Sequence, residues 1–97
     1  MNLEVGMYVR TINGKIWIII SQKAISGHRK DIIKASHNII DLIEVGDYVN
    51  GEKVLLKNEG YIKVGTGRDY IVVNNEKFIK SIVTKEQFEK MQYSLEG

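Results

Sequence analysis

The chain has 97 residues, 43% hydrophobic and 27% charged, with a net charge of +2. That is the make-up of one ordinary globular domain, or of two very small units sharing a core, and not of a disordered chain. The absence of cysteine excludes disulfides, a thiolate zinc site and a cysteine nucleophile.

Charge is unevenly spread. Residues 1–43 carry six Lys/Arg against three Asp/Glu, and residues 44–97 carry eight against nine. An anion-binding face is therefore expected on the first half. The longest apolar run, Ile16 to Ile20, is far short of the roughly 20 residues a membrane-spanning helix needs. No charged segment followed by an apolar one opens the chain, so a cytoplasmic location is expected.

From Val5 the chain reads VGMYVRTINGKIWIII, where apolar and β-branched residues alternate with polar ones in the manner of strands. Asn13-Gly14 is the dipeptide favoured in two-residue hairpin turns, because both positions need positive φ. That turn predicts Ile12 opposite Lys15, Arg10 opposite Trp17, Val9 opposite Ile18 and Tyr8 opposite Ile19. Met7, Val9, Ile16, Ile18 and Ile20 then share one face. Tyr8, Arg10, Ile12, Trp17 and Ile19 share the other. The stretch QKAISGHRKDIIK reads as a basic loop that runs into a strand at Ile32. Asn38 stands where it can cap a single helical turn, with Asp41 three residues on.

Ile43 to Val49 then nearly repeats Leu3 to Val9. In the second copy a four-residue loop, Asn50 to Lys53, pairs Val49 with Val54 and Tyr48 with Leu55. Gly65-Thr66-Gly67-Arg68 turns a further hairpin, Asn74-Asn75 makes another turn, and KFIKSIV reads as a last strand, with Phe78 to Ser81 echoing Ile32 to Ala35. Thr84 and Gln87 have capping-box spacing, which predicts a helix over about 84–91. Strand pattern resumes at QYSL. The expected fold is all-β with one C-terminal helix: two tandem SH3-like small-barrel units, residues 1–43 and 44–97. A unit of about 45 residues has little core of its own, so the two should pack as one body.

The run IIKASHNIIDLIEVGDYVNGEKV, with IKSIVTKEQFEKMQY near the end, resembles a group of small phage and prophage proteins of Gram-positive, clostridial-type bacteria. The likeness covers the opening strand, the centre and the C-terminus, and is poor over 21–30 and 57–69. It implies a phage origin and a small β-rich fold. It brings no activity and no motif residues to this chain.

Catalytic and cofactor motifs are sparse. His28 and His37 lack the further ligands a zinc site needs. Gly65 to Arg68 lies between strands and lacks the frame of a phosphate loop, so a turn is the better reading. Asp47 reads as a cap beside Gly46, and Glu86 and Glu89 as part of a solvated helix face with Lys85 and Lys90. No pattern calls for a cofactor, a metal or enzymatic chemistry.

Two surfaces could bind. Tyr8, Arg10, Ile12, Trp17 and Ile19 form an apolar face with an Arg10–Trp17 cation–π pair. It serves either as the seam to the second unit, with Tyr48 and Leu55, or as a partner or homodimer face. Lys23, His28, Arg29, Lys30 and Lys34 offset only Asp31 and suit nucleic-acid phosphates. The function expected first is a non-enzymatic phage-type protein that binds a host or phage protein, an inhibitor of bacterial defence machinery being one form. A nucleic-acid-binding module using 22–34, and a self-assembling phage structural protein, are the alternatives.

Overall fold

A computed structural model describes residues 2–91 of the chain. Its first hairpin joins β1 (Tyr8–Thr11) to β2 (Ile16–Ile18), and the Thr11–Lys15 pair closes a loop of three residues, 12–14, instead of two. Gly14 N–H donates to the Thr11 carbonyl, Thr11 N–H donates to the Lys15 carbonyl (both 2.9 Å), and Lys15 N–H donates to the Thr11 hydroxyl at 3.1 Å. Of the Asn13-Gly14 pair only Gly14 has a positive φ, +83°. This is the longer hairpin connection that ends in a left-handed glycine. The Thr84 hydroxyl selects it by donating to the Gly14 carbonyl at 2.7 Å.

The extra loop residue corrects the register by one. Tyr8 faces Ile18, Val9 faces Trp17 and Arg10 faces Ile16. A one-residue slip turns a strand over. Trp17 and Ile19 thus join Val9 on the core side, and Tyr8 and Arg10 lie with Ile16 and Ile18 on the other. The five residues expected on one outer face do not share a face.

β3 (Ile32–Ser36) pairs with the second edge of β1, giving the order β2-β1-β3. Between β2 and β3 the expected loop is largely helical: α1 covers Gln22–His28. Gln22, Lys23 and Ala24 are good helix formers, and one turn places Ile25 against Leu3, Val9, Ile19 and Ile32. These five form the core of the first sheet.

The second sheet holds β4 (Tyr48–Val49), β5 (Glu52–Asn58), β6 (Tyr61–Gly65), β7 (Tyr70–Val73) and β8 (Ile82–Val83), in the order β7-β6-β5-β4-β8. Here the two-residue turn does occur, at Asn50 (φ +54°) and Gly51 (φ +81°). It pairs Val49 with Glu52 and Tyr48 with Lys53, so the expected four-residue loop is corrected. Asn50 fixes it: its side-chain amide donates to the Phe78 carbonyl at 2.7 Å, and its side-chain oxygen accepts from the N–H groups of Lys80 and Ser81. The shift is of two residues, which leaves Val49 and Val54 on the core face. They meet Ile40, Ile43, Ile62, Val64 and Val73.

Several local expectations hold. Asn38 caps a 3-10 turn, Ile39–Leu42, accepting from Ile40 N–H at 3.1 Å. Thr66 N–H donates to the Asp69 carbonyl in the β6–β7 turn. Thr84 and Gln87 exchange reciprocal bonds of 3.1 and 3.3 Å ahead of α2 (Lys85–Met91). Phe88 of α2 stacks on Tyr48, ring centroids 4.6 Å apart. The expected last strand from Lys77 shortens to Ile82–Val83, because Glu76–Phe78 forms a 3-10 turn capped by Asn75. The strand expected at QYSL lies outside the described residues.

The described chain is thus mostly β, with two antiparallel sheets and a helix near the C-terminus. Neither sheet closes into a barrel. Ile40 and Ile43, assigned to the first unit by sequence, pack in the second core. The turns ahead of β1 and β4 are alike: Gly6 and Gly46 have φ of +95° and +98°, and donate to the carbonyls of Ile19 and Val54.

Gly14 and Gly51 separate two costs. A Cβ at Gly14 would strike the Thr84 hydroxyl and lie 2.8 Å from Glu86 Cβ, whereas one at Gly51 meets open space. Gly51→Ala should cost about 1–2 kcal/mol from the left-handed backbone alone, and Gly14→Ala roughly 1–3 kcal/mol more from the clash. Urea denaturation of the two variants beside the parent measures the difference.

Candidate functional site

Arg10 leaves the middle of β1 on the face away from the first core, and its side chain is fully buried. Its Nη1 donates to the Leu42 carbonyl at 3.0 Å and to Asp47 Oδ2, and its Nη2 to Asp47 Oδ1 at 3.0 Å. Nη2 also reaches both Glu86 oxygens, at 2.9 and 3.1 Å. A two-pronged guanidinium suits this planar recognition, which an ammonium could not reproduce. Only Nε has no hydrogen-bond partner. It lies 3.6 Å from Glu44 Oε2.

Asp47 is equally engaged. Besides Arg10 it accepts from Glu44 N–H at 2.7 Å and from Lys85 N–H, the first residue of α2, at 2.9 Å. Four donors fill a carboxylate. The sequence reading of Asp47 as a turn cap covers one of these four bonds. Glu44 in turn binds Lys85 Nζ at 2.7 Å and Lys34 Nζ at 3.0 Å. Burial disfavours charge on Glu44, yet the hydrogen bonds from Lys85 and Lys34 and the charge of Arg10 outweigh it and hold its carboxyl down at about 2. Burial likewise opposes charge on Arg10, and Asp47 and Glu86 more than compensate, raising its pKa further. Glu86 is therefore part of this cluster and not of a purely solvated helix face. Every acid here is tied to a base.

The second feature is a groove of about 580 Å³ between β2 and α1. Trp17 and Ile18 line it from the strand, Ala24 and His28 from the helix, and Lys15 and Asn13 from the hairpin end. The indole and the His28 ring meet edge to face, centroids 5.5 Å apart. Ile18 and Ile20 are exposed, Ile20 by 79%. The groove brings together one member of each surface singled out in the sequence, Trp17 from the hairpin and His28 from the basic stretch.

The remaining candidates scatter. Ile19 is buried in the first core and Ile12 stands exposed at the loop tip. Tyr8 lies half-buried beside Ile39, Asn75 and Glu76. Burial first, and then Glu76, raise its phenol pKa. The Arg10–Trp17 cation–π pair does not form, since the two side chains lie on opposite faces of the sheet. Lys23, His28, Arg29 and Lys30 are exposed along α1 and the turn after it, while Lys34 is drawn away to Glu44. His37 lies in an exposed turn, its Nε2 3.2 Å from Glu4 Oε2. Among the described residues no group of three His, Asp or Glu side chains could hold a metal ion. No helix among them is long and apolar enough to cross a membrane.

Sequence reasoning missed Asp47, Glu44 and Glu86 as partners of Arg10, and Lys15 and Ile18 as groove residues. An arginine inside an apolar alternation does signal a buried acid, but the partners are 37 and 76 residues away. No family model, curated protein or solved structure matches this chain.

Two predictions follow from the cluster. Asp47→Asn removes the matched charge from a buried arginine and should cost about 3 kcal/mol or more by chemical denaturation. Glu44 has a depressed carboxyl, so the unfolded chain binds the extra proton below pH 4.5. Its contribution is present above pH 4.5 and lost as pH falls toward 2. Stability measured across that window should fall less steeply in Glu44→Gln than in the parent.

Proposed function

We propose that this chain is a non-enzymatic binding protein of phage or prophage type, which acts in the bacterial cytoplasm by holding a protein partner in the β2–α1 groove. The observation that carries this reading is the groove itself: a half-buried tryptophan, exposed isoleucines and the Lys15 ammonium beside a strand edge. Tryptophan and large apolar side chains in a cleft are what protein interfaces bury. The buried acids favour the same reading, because their hydrogen bonds are committed to Arg10, Lys34 and Lys85 and serve architecture. Blocking a component of bacterial defence is the form of action that fits a small scaffold with one adhesive cleft. We read the two sheets as diverged copies of one SH3-like plan, supported by the matching turns at Gly6 and Gly46 and by the central place of β1 and β4 between a hairpin mate and a later strand.

A photo-crosslinking residue at position 15, with a control at position 63 on the far sheet, tests this in host lysate treated with nuclease. The expected outcome is one protein captured from position 15, absent from position 63 and lost with Trp17→Ala. Capture that disappears with nuclease would favour nucleic acid held by Lys23 and Lys30. Cross-linking only to itself would favour self-assembly.

A further inference from the structure

The groove is also the open side of a sheet. β2 is the edge strand of the order β2-β1-β3. Thr11 N–H donates to the Lys15 carbonyl and Ile19 N–H to the Met7 carbonyl. In an antiparallel ladder such bonds recur at every second residue, so Trp17 also spends its backbone groups on β1. Ile16 and Ile18 therefore turn their N–H and C=O groups away from β1, and Ile18 lines the groove. Edge strands usually guard such groups with charge, proline or cover. Here the residues on the edge are Ile16, Trp17 and Ile18, with Ile20 exposed just beyond.

Charge completes the picture. Lys15 stands where β2 begins and His28 on the helical wall, with Lys23 exposed on the same helix. Lys15 and Lys23 make no ion pair among the described residues, and Asp31 is the one acidic side chain lining the groove. Building on the proposed groove function, we infer that the occupant is an extended peptide segment that adds antiparallel to β2. It hydrogen-bonds to Ile18 and sets an apolar side chain beside Trp17 and an acidic residue near Lys15. An antiparallel strand runs against β2, so its C-terminal end lies at Lys15, and about five residues match the Ile16–Ile20 edge. Backbone bonds supply affinity in such strand addition, and the cleft and the cation supply choice.

Selection of a displayed library of random twelve-residue peptides on the purified protein tests this without knowledge of the partner. Expected are sequences with alternating β-branched residues, no central proline and Asp or Glu toward the C-terminal end. They should shift the emission of Trp17, the single tryptophan, and perturb the amide signals of Ile16 and Ile18. Lys15→Glu should weaken them about tenfold. Ile18→Pro removes only an outward N–H at an edge, where proline is tolerated, and should abolish binding while the native amide spectrum persists elsewhere. Peptides that bind Ile18→Pro as tightly as the parent, that prefer Lys and Arg, or that perturb only residues away from β2 would each overturn strand addition, as would a library yielding no binder. The groove reading fails separately, when cross-linking at position 15 captures no protein.

Discussion

The structure hangs on one bidentate pair, Arg10 with Asp47. A fully buried guanidinium on a β-sheet is costly unless its charge and donors are met, and here four of its five N–H directions find oxygen while Nε lies 3.6 Å from Glu44. Asp47 answers with a filled carboxylate that also holds the turn at Glu44 and the start of α2. The first sheet, the second sheet's entry turn and the last helix therefore meet at this pair, and Lys34–Glu44, Lys85–Glu44 and Thr84–Gly14 brace it. Two cores this small, each built from a handful of aliphatic residues, gain orientation from it more than cohesion.

The same contact explains why the two faces of the first sheet differ. Leu3, Val9, Ile19, Ile25 and Ile32 make a dry side under α1. Tyr8, Arg10 and Ile16 make a side that meets the second sheet through charge, hydroxyls and a few isoleucines. Trp17 falls at the rim of the dry side, packed against that core and still partly exposed. The groove follows from that placement: α1 is only seven residues long, and its Ile25 packs into the core with Ile19 while the strand edge stays open.

Much of the local structure was legible in the sequence. The hairpins, the β6–β7 turn, the Asn38 turn and the Thr84–Gln87 box all rest on interactions within a few residues, and short-range chemistry names them. The registers were not legible. Asn13-Gly14 and Asn50-Gly51 are the same dipeptide, yet the first closes a three-residue loop and the second a two-residue turn. What separates them is distant: Thr84 on one, Phe78, Lys80 and Ser81 on the other. The register of the first hairpin then turned Trp17 and Ile19 to the opposite face from Tyr8 and Arg10 and broke the candidate face apart. α1 escaped notice because one buried isoleucine, and no repeating apolar stripe, decides it. The cleft itself joins a strand edge to a helix that the sequence did not announce, so it could only be found in three dimensions.

The span of the Arg10 contacts has a consequence for how the chain is made. Glu86 lies 76 residues beyond Arg10. During synthesis Leu42 and Asp47 emerge long before the helix that completes the arginine's shell, and until then the Nη2 hydrogen that Glu86 receives is left to water. The nascent first half thus carries a wet arginine on the face that will become the seam, which keeps that face from collapsing onto the wrong apolar surface. Contacts of such long sequence separation slow folding in general, and the Arg10–Glu86 bond is one that only a nearly finished chain can close.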